Sequence, residues 1–136
     1  MITQELTYPD LNITAAEIYE QMGYGDALPD ADVQAETERM ISRVKEILRP
    51  QFSFFITKAT LDEENNLLTT GYATMDIGRI ISRQLRGSSA FAFFVATAGM
   101  EFEHLQEQLK AEGDMVSIFI ADAMGSVIAE KAADCM

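Results

Sequence analysis

Two early stretches of the chain are predicted to be helical, and in the second of them apolar residues recur every three to four positions, a spacing typical of an amphipathic helix. The first stretch runs from Ala15 to Met22 and can be capped by Thr14. The second begins near Asp30 and ends at Pro50, because a proline cannot continue the hydrogen-bond ladder of a helix. Residues 1–13, which precede both helices, are predicted to be extended or irregular.

Two runs rich in aromatic and β-branched residues predict strands. The first is FSFFITKA, Phe52 to Ala59. The turn residues DEENN separate it from LLTTGYA, which is predicted to pair with it as a hairpin. The second run is Phe91 to Ala96, in which the residues on both faces are apolar. We therefore expect this strand to be central in a sheet and covered on both sides.

A third helix follows the hairpin, with Thr74 or Asp76 as its cap. The tetrapeptide RGSS closes this helix before the predicted strand Phe91 to Ala96 begins. Its four aliphatic residues are predicted to point inward: Ile77, Ile80, Ile81 and Leu85.

Two more helices are predicted after the strand Phe91 to Ala96. The fourth helix runs from about Met100 to Ala111, Gly113 suits its C-terminus, and Asp114 suits the N-cap of the last helix. The last helix, Met115 to about Asp134, would be roughly 30 Å long at 1.5 Å per residue. It is apolar on nearly every side, which is typical of a buried helix.

The order of these elements predicts an α+β fold with an antiparallel or mixed sheet, a covered central strand and a long C-terminal helix. At 136 residues the chain has the length of one domain, so residues 1–136 are expected to form a single domain. No internal repeat and no low-complexity linker interrupts the pattern.

Charge narrows the range of partners. Ten basic residues stand against 22 acidic ones, which gives a net charge of −12 and a field that repels nucleic acid phosphates and anionic lipid. Neither nucleic acid nor a membrane is therefore an expected partner. Glu5 and Asp10 stand where a signal peptide needs positive charge and then an apolar run, so we expect a cytoplasmic protein.

A polar line crosses the otherwise apolar last helix. Its members follow one another at i+4 spacing: Asp122, Ser126, Glu130 and Asp134. Gly125 lies beside the line and makes the helix thin there. Two interpretations remain open. The line is either the solvent edge of a buried helix, or Ser126 and Glu130 line a small-molecule cleft.

Other residues have suggestive chemistry but do not complete a site. Glu101 and His104 have Glu-x-x-His spacing, yet a di-iron site needs two such motifs and the chain has one histidine. Cys135 is the only cysteine, so it forms no internal disulfide, and nothing in the sequence orients it as a nucleophile. We therefore predict neither a metal site nor a catalytic residue.

Three arginines form a basic stripe on the third predicted helix of this acidic chain. Arg79, Arg83 and Arg86 lie at i, i+4 and i+7. They either pair with the many carboxylates of the chain or form a surface that docks an acidic partner.

The segment from residue 90 to 134 carries a longer pattern. It combines a turn ending in Thr97-Ala98-Gly99-Met100-Glu101, the pair Gly113-Asp114, and a helix with Asp122-Ala123-Met124-Gly125-Ser126 followed by Glu130 and Asp134. This pattern resembles the activation domain of vitamin B12-dependent methionine synthase, most strongly the small free-standing relatives of that domain. The earlier segments MGYGDALPD and MDIGRIISRQL are similar to the N-terminal half of those relatives.

The resemblance implies the fold of that domain and a role in rescuing a corrinoid cofactor. The activation domain binds S-adenosylmethionine and presents its methyl group for reductive remethylation of the cobalamin that methionine synthase, or a related corrinoid protein, carries. The chain would then be an accessory part of a methyltransferase system rather than a self-sufficient enzyme. Glu130 is the best candidate contact for the positive charge of the donor. The implied cofactor-binding set is Thr97, Gly99, Glu101, Ser126 and Glu130.

One part of the family pattern is missing. In the family, an Arg followed by Pro-Gly-Tyr lies after the long helix and contributes to S-adenosylmethionine binding, whereas this sequence contains no Pro-Gly-Tyr. The chain is therefore expected to be either a C-terminally truncated activation-domain-like unit or a member that has lost the loop. A lost segment would expose apolar surface on the last helix and allow a homodimer to form.

Overall fold

The computed structural model describes residues 1–136. The strands are β1 (Ile2–Glu5), β2 (Gln51–Thr57), β3 (Thr60–Asp62), β4 (Leu67–Thr69), β5 (Thr74–Asp76) and β6 (Phe91–Thr97). The helices are α1 (Tyr8–Leu11), α2 (Ala15–Gln21), α3 (Ala31–Ile47), α4 (Gly78–Leu85), α5 (Met100–Glu112) and α6 (Met115–Asp134). The fold is α+β, with two small antiparallel sheets and a long C-terminal helix. None of the helices combines the length and the apolar character needed to cross a membrane.

The chain folds into two compact units. The small unit consists of residues 1–2 and 54–94, and the helical unit consists of residues 3–53 and 95–136. Residues of β1, β2 and β6 belong to both units. The single domain expected from chain length stays a prediction.

Helix α6 is the centre of the helical unit, where it packs against α2, α3 and α5. Ile120, Met124 and Ile128 follow one another at i+4 spacing along α6, and all three are fully buried. Ile18 of α2 and Val44 of α3 are fully buried as well. The apolar faces predicted for these helices therefore meet in one core.

Side chains at the helix starts satisfy amide groups that have no partner inside the helix. Thr14, Asp30 and Asp114 each accept a hydrogen bond from an amide two or three residues further along the chain. Gly113 ends α5 in the left-handed conformation, with φ of 78°. The boundaries predicted at Thr14, Gly113 and Asp114 are thus confirmed.

The first sheet has the strand order β1-β2-β6, so β2 is its central strand and β6 lies at an edge. The prediction that the strand Phe91–Ala96 is central and covered on both sides is wrong. Phe94 is 53% exposed and Val95 is 67% exposed, one on each face of the strand. An apolar pattern on both faces does not reveal whether a neighbouring strand or layer is present to cover them.

The second sheet is antiparallel, with the order β3-β4-β5. Leu68 is its buried residue and lies opposite Leu61 on one side and Met75 on the other. The predicted hairpin between Phe52–Ala59 and LLTTGYA is therefore wrong. Strand β2 ends at Thr57, and the chain restarts as the short strand β3, which takes the place opposite β4.

Helix α4 packs against β4 but leaves most of its aliphatic residues uncovered. Ile80 is 75% exposed and Ile81 is 49% exposed, whereas Ser82 is buried. The prediction that Ile80 and Ile81 point inward is wrong. A sheet made of three-residue strands is too narrow to cover the whole apolar side of the helix.

The N-terminal residues contain more structure than the pattern predicted. Strand β1 joins the first sheet, and the four-residue helix α1 follows it. The carboxylate of Asp10 accepts a hydrogen bond from the amide of Thr7 at 2.8 Å, which stabilises this single turn. Tyr8 and Leu11 of α1 are buried in the helical unit.

Candidate functional site

The turn between β6 and α5 holds two of the predicted site residues. The hydroxyl of Thr97 accepts a hydrogen bond from the amide of Gly99 at 3.1 Å. Gly99 has φ of 96° and ψ of 165°, a conformation that essentially only glycine adopts. A side chain at this position would also overlap the carbonyl oxygen of Arg49. Glycine is therefore required here by both conformation and space.

Glu101 lies in the first turn of α5, where a carboxylate interacts favourably with the positive end of the helix dipole. It lines a surface groove of about 420 Å³. The other lining residues come from α3 and α5: Arg43, Ile47, His104, Leu105 and Gln108. No group of three or more His, Cys, Asp or Glu side chains in the protein is arranged to hold a metal ion.

The polar line on α6 is exposed along its whole length. All four of its residues, Asp122, Ser126, Glu130 and Asp134, are accessible to solvent. Gly125, beside the line, faces the buried ring of Phe102, and a Cβ built on Gly125 would lie 2.9 Å from its Cε1 atom. The ring of Phe102 therefore occupies the space that the missing side chain leaves.

Glu130 lies in a groove of about 330 Å³ between α2 and α6, which we call the acidic groove. Its lining residues are Glu17, Glu20, Gln21, Val127, Glu130, Lys131 and Asp134. Four of the seven are carboxylates and one is a lysine. Sequence periodicity indicated the contribution of α6, but it gave no sign that α2 supplies the opposite wall.

The lysine of the acidic groove is already paired. Lys131 Nζ lies 2.6 Å from the Oε2 atom of Glu17, and this hydrogen-bonded pair lowers the pKa of Glu17 and raises the pKa of Lys131. The other carboxylate oxygen of Glu17 accepts a hydrogen bond from the amide of Thr14 at 3.0 Å. Glu20 and Glu130 form no ion pair. The groove thus keeps a net negative charge, which favours a cationic ligand.

The basic helix of the small unit is partly paired. Arg86 Nε lies 3.1 Å from Glu63 Oε2, whereas Arg79 and Arg83 are exposed and form no ion pair. Ile80 is exposed on the same helix. One arginine of the stripe thus pairs with a carboxylate, whereas docking of an acidic partner by the other two stays a prediction.

An aromatic groove in the small unit was not predicted from the sequence. Phe55 stacks on Phe93 with ring centroids 5.3 Å apart and meets Tyr72 edge-on at 6.1 Å. A groove of about 510 Å³ is lined here by Met1, Phe55, Ile56, Thr57 and Tyr72. The sequence signal for this groove is the clustering of aromatic residues in two strand segments and a bend.

The structure brings some of the predicted site residues together and separates others. Thr97, Gly99 and Glu101 follow one another at the start of α5, and Ser126 and Glu130 share the exposed side of α6. Glu101 and Glu130 line two different grooves. No protein-family model matches this chain, and no curated protein matches it.

Proposed function

We propose that this protein is an activation-domain-like accessory protein, which assists reductive remethylation of the corrinoid cofactor of methionine synthase or of a related corrinoid protein. The observation that carries the proposal is the role of the motif glycines. Gly99 and Gly125 occupy positions where a larger residue would meet Arg49 or Phe102. The glycines that carry the resemblance therefore have specific structural roles in this chain. These roles support a relationship to the activation domain rather than a chance similarity in composition.

The residues of the acidic groove fit the charge of the implied methyl donor. S-adenosylmethionine carries a positive sulfonium, and it would supply the methyl group that the partner's corrinoid accepts. Glu20 and Glu130 both line this groove and offer unpaired carboxylates to that positive charge. Because Glu17 already neutralises Lys131, the lysine does not cancel this attraction. The chain's own contribution is thus to bind and orient a cation, and the cofactors carry the chemistry.

Binding of S-adenosylmethionine to the chain tests the proposal by isothermal titration calorimetry. We expect the wild-type protein to bind S-adenosylmethionine more tightly than S-adenosylhomocysteine, which lacks the methyl group on sulfur and therefore the sulfonium charge. The variant Glu130→Gln removes the charge and keeps the shape of the side chain. It should weaken S-adenosylmethionine binding by up to about fivefold, which corresponds to about 1 kcal/mol for an exposed ion pair, and leave S-adenosylhomocysteine binding unchanged.

Glu103→Gln is the matched control, because Glu103 is an exposed carboxylate of α5 that lines neither groove described for Glu101 and Glu130. It should bind both ligands as the wild-type protein does. Absence of heat and of any thermal shift at millimolar S-adenosylmethionine would contradict donor binding by this chain. Equal weakening of both ligands by Glu130→Gln would contradict the assignment of the sulfonium contact.

A second candidate function is a non-catalytic interaction module that docks an acidic partner through α4. The favouring observation is that α4 carries only positive charges and exposes two unpaired arginines beside Ile80. The small unit contains equal numbers of acidic and basic residues, so the net charge of −12 falls on the helical unit. An acidic partner would therefore meet no excess of negative charge in the small unit itself.

Charge reversal separates this candidate from the first one. The double variant Arg79→Glu/Arg83→Glu should abolish recovery of a corrinoid protein or other acidic partner in a pull-down, while S-adenosylmethionine binding stays unchanged. Arg39→Glu/Arg43→Glu reverses two charges at the same i, i+4 spacing on α3 and serves as the control. Unchanged recovery with the α4 variant would reject docking through this helix.

A further inference from the structure

Strand β6 is an unprotected sheet edge. It is hydrogen-bonded to β2 on one side only, so its other side presents free backbone amides and carbonyls. Natural edge strands are usually short, charged, bulged or interrupted by proline. Strand β6 is seven residues long, and no charged residue and no proline occurs between Arg86 and Glu101. The other edge strand, β1, is shorter and ends in Glu5.

An open strand edge selects its occupant by backbone geometry. Only another extended chain can satisfy the free amides and carbonyls in register, as in recognition by strand addition. The exposed side chains Phe94 and Val95 point to opposite faces of β6. A strand paired at this edge would therefore place side chains next to both of them.

The residue sequence of β6 is nearly symmetric in size about Phe94. It reads FAFFVAT, so that Phe93 and Val95 flank the centre, followed outward by the two alanines and then by Phe91 and Thr97. When two such strands run antiparallel with Phe94 opposite Phe94, Phe93 faces Val95, Ala92 faces Ala96, and Phe91 faces the smaller Thr97. The pairing of Phe93 with Val95 is an aromatic and β-branched pair, which is favourable across strands.

We infer that β6 pairs with β6 of a second copy of this chain, in antiparallel register centred on Phe94. The two three-stranded sheets then form one six-stranded sheet about a two-fold axis. The strand has no charge, so self-pairing places no like charges opposite each other. The net charge of −12 on each copy opposes association, and added salt should therefore tighten the dimer.

Sedimentation of the full chain over a range of protein and salt concentrations tests this inference. We expect a concentration-dependent dimer in the wild-type protein. Phe94→Lys places two lysines opposite each other at the two-fold axis and should give a monomer of unchanged circular dichroism. Ile80→Lys, the same change at an exposed apolar residue outside β6, should leave the dimer intact.

The register is tested by disulfide trapping in a Cys135→Ser background. Phe94→Cys should cross-link to itself on mild oxidation. Ala92→Cys and Ala96→Cys should cross-link when the two proteins are mixed, but neither should do so alone. A monomer at every concentration would overturn the inference. So would a dimer that survives Phe94→Lys but is lost in Phe119→Lys on α6, or cross-linking that does not depend on the register.

Discussion

Replacement of Phe102 by alanine is expected to lower the free energy of unfolding by about 3–5 kcal/mol, the usual cost of truncating a buried phenylalanine. The ring is 2% exposed and fills the space beside Gly125, where α5 packs on α6. Because α6 is the centre of the helical unit, little of the resulting cavity can be filled by movement of neighbours. Urea unfolding followed by circular dichroism measures the loss.

A second substitution, at Gly125, tests the contact between Gly125 and the ring of Phe102 directly. In the wild-type protein, Gly125→Ala brings a methyl group to 2.9 Å from Phe102 Cε1. The crowding, at about 1–3 kcal/mol, should outweigh the gain of about 1 kcal/mol from replacing a helical glycine. In the Phe102→Ala background the crowding is gone, so the same substitution should stabilise the protein. If Gly125→Ala has the same sign in both backgrounds, the two residues are not coupled as described.

Gly99→Ala is expected to destabilise the protein by about 3 kcal/mol. Two effects add at this position. The backbone has φ of 96°, which alanine adopts with strain, and the new methyl group would overlap the carbonyl oxygen of Arg49. Thermal and urea unfolding should both report the loss, and the circular dichroism spectrum at low temperature should retain its helical signal.

Gly71→Ala provides the matched control for that substitution. Gly71 has no positive φ, and a Cβ atom at this position meets nothing within 4 Å. The change should therefore alter the free energy of unfolding by no more than about 0.5 kcal/mol. A loss at Gly99 no larger than the loss at Gly71 would contradict the packing described for the β6–α5 turn.

The helices of the helical unit were largely predictable because their signals are local. A capping residue, a 3.6-residue period and a terminating Gly or Pro all lie within one segment of chain, as at Thr14, Gly113 and Asp114. The predicted range of α6, Met115 to about Asp134, agrees with the structure. The single turn α1 was missed, because its stability depends on the two hydrogen bonds that the carboxylate of Asp10 accepts from Thr7 and on the burial of Tyr8.

Strand neighbours were not predictable, because they depend on contacts between segments distant in sequence. The apolar pattern of β6 would suit a covered central strand equally well, yet no strand lies on its outer side. Likewise, the pattern of α4 identifies an apolar side but not the width of the sheet beneath it, which leaves Ile80 exposed. An amphipathic pattern indicates which side of a helix or strand is apolar, but it does not indicate whether a neighbouring element covers that side.

Only those parts of the candidate site that lie on a single helix could be predicted from the sequence. The i+4 spacing of Asp122, Ser126, Glu130 and Asp134 placed them on one side of a helix, and the structure exposes that side. The second wall of the acidic groove comes from α2, whose Glu17 and Glu20 lie far away in sequence. The pairing of Lys131 with Glu17 could not be inferred, since either residue had many possible partners of opposite charge.

The positions of the tyrosines give the two units different optical signals. The chain has no tryptophan and four tyrosines, so tyrosine is its intrinsic fluorophore. Tyr8 and Tyr19 are buried in the helical unit, whereas Tyr72 is 85% exposed in the small unit. Burial raises the pKa of both Tyr8 and Tyr19, so folding holds their phenols in the protonated form. The contribution of these protonated phenols to folding stability is fully present below the ordinary phenol pKa and is lost as pH rises through the raised pKa values. Phenolate absorbance in strong alkali therefore signals the opening of the helical core.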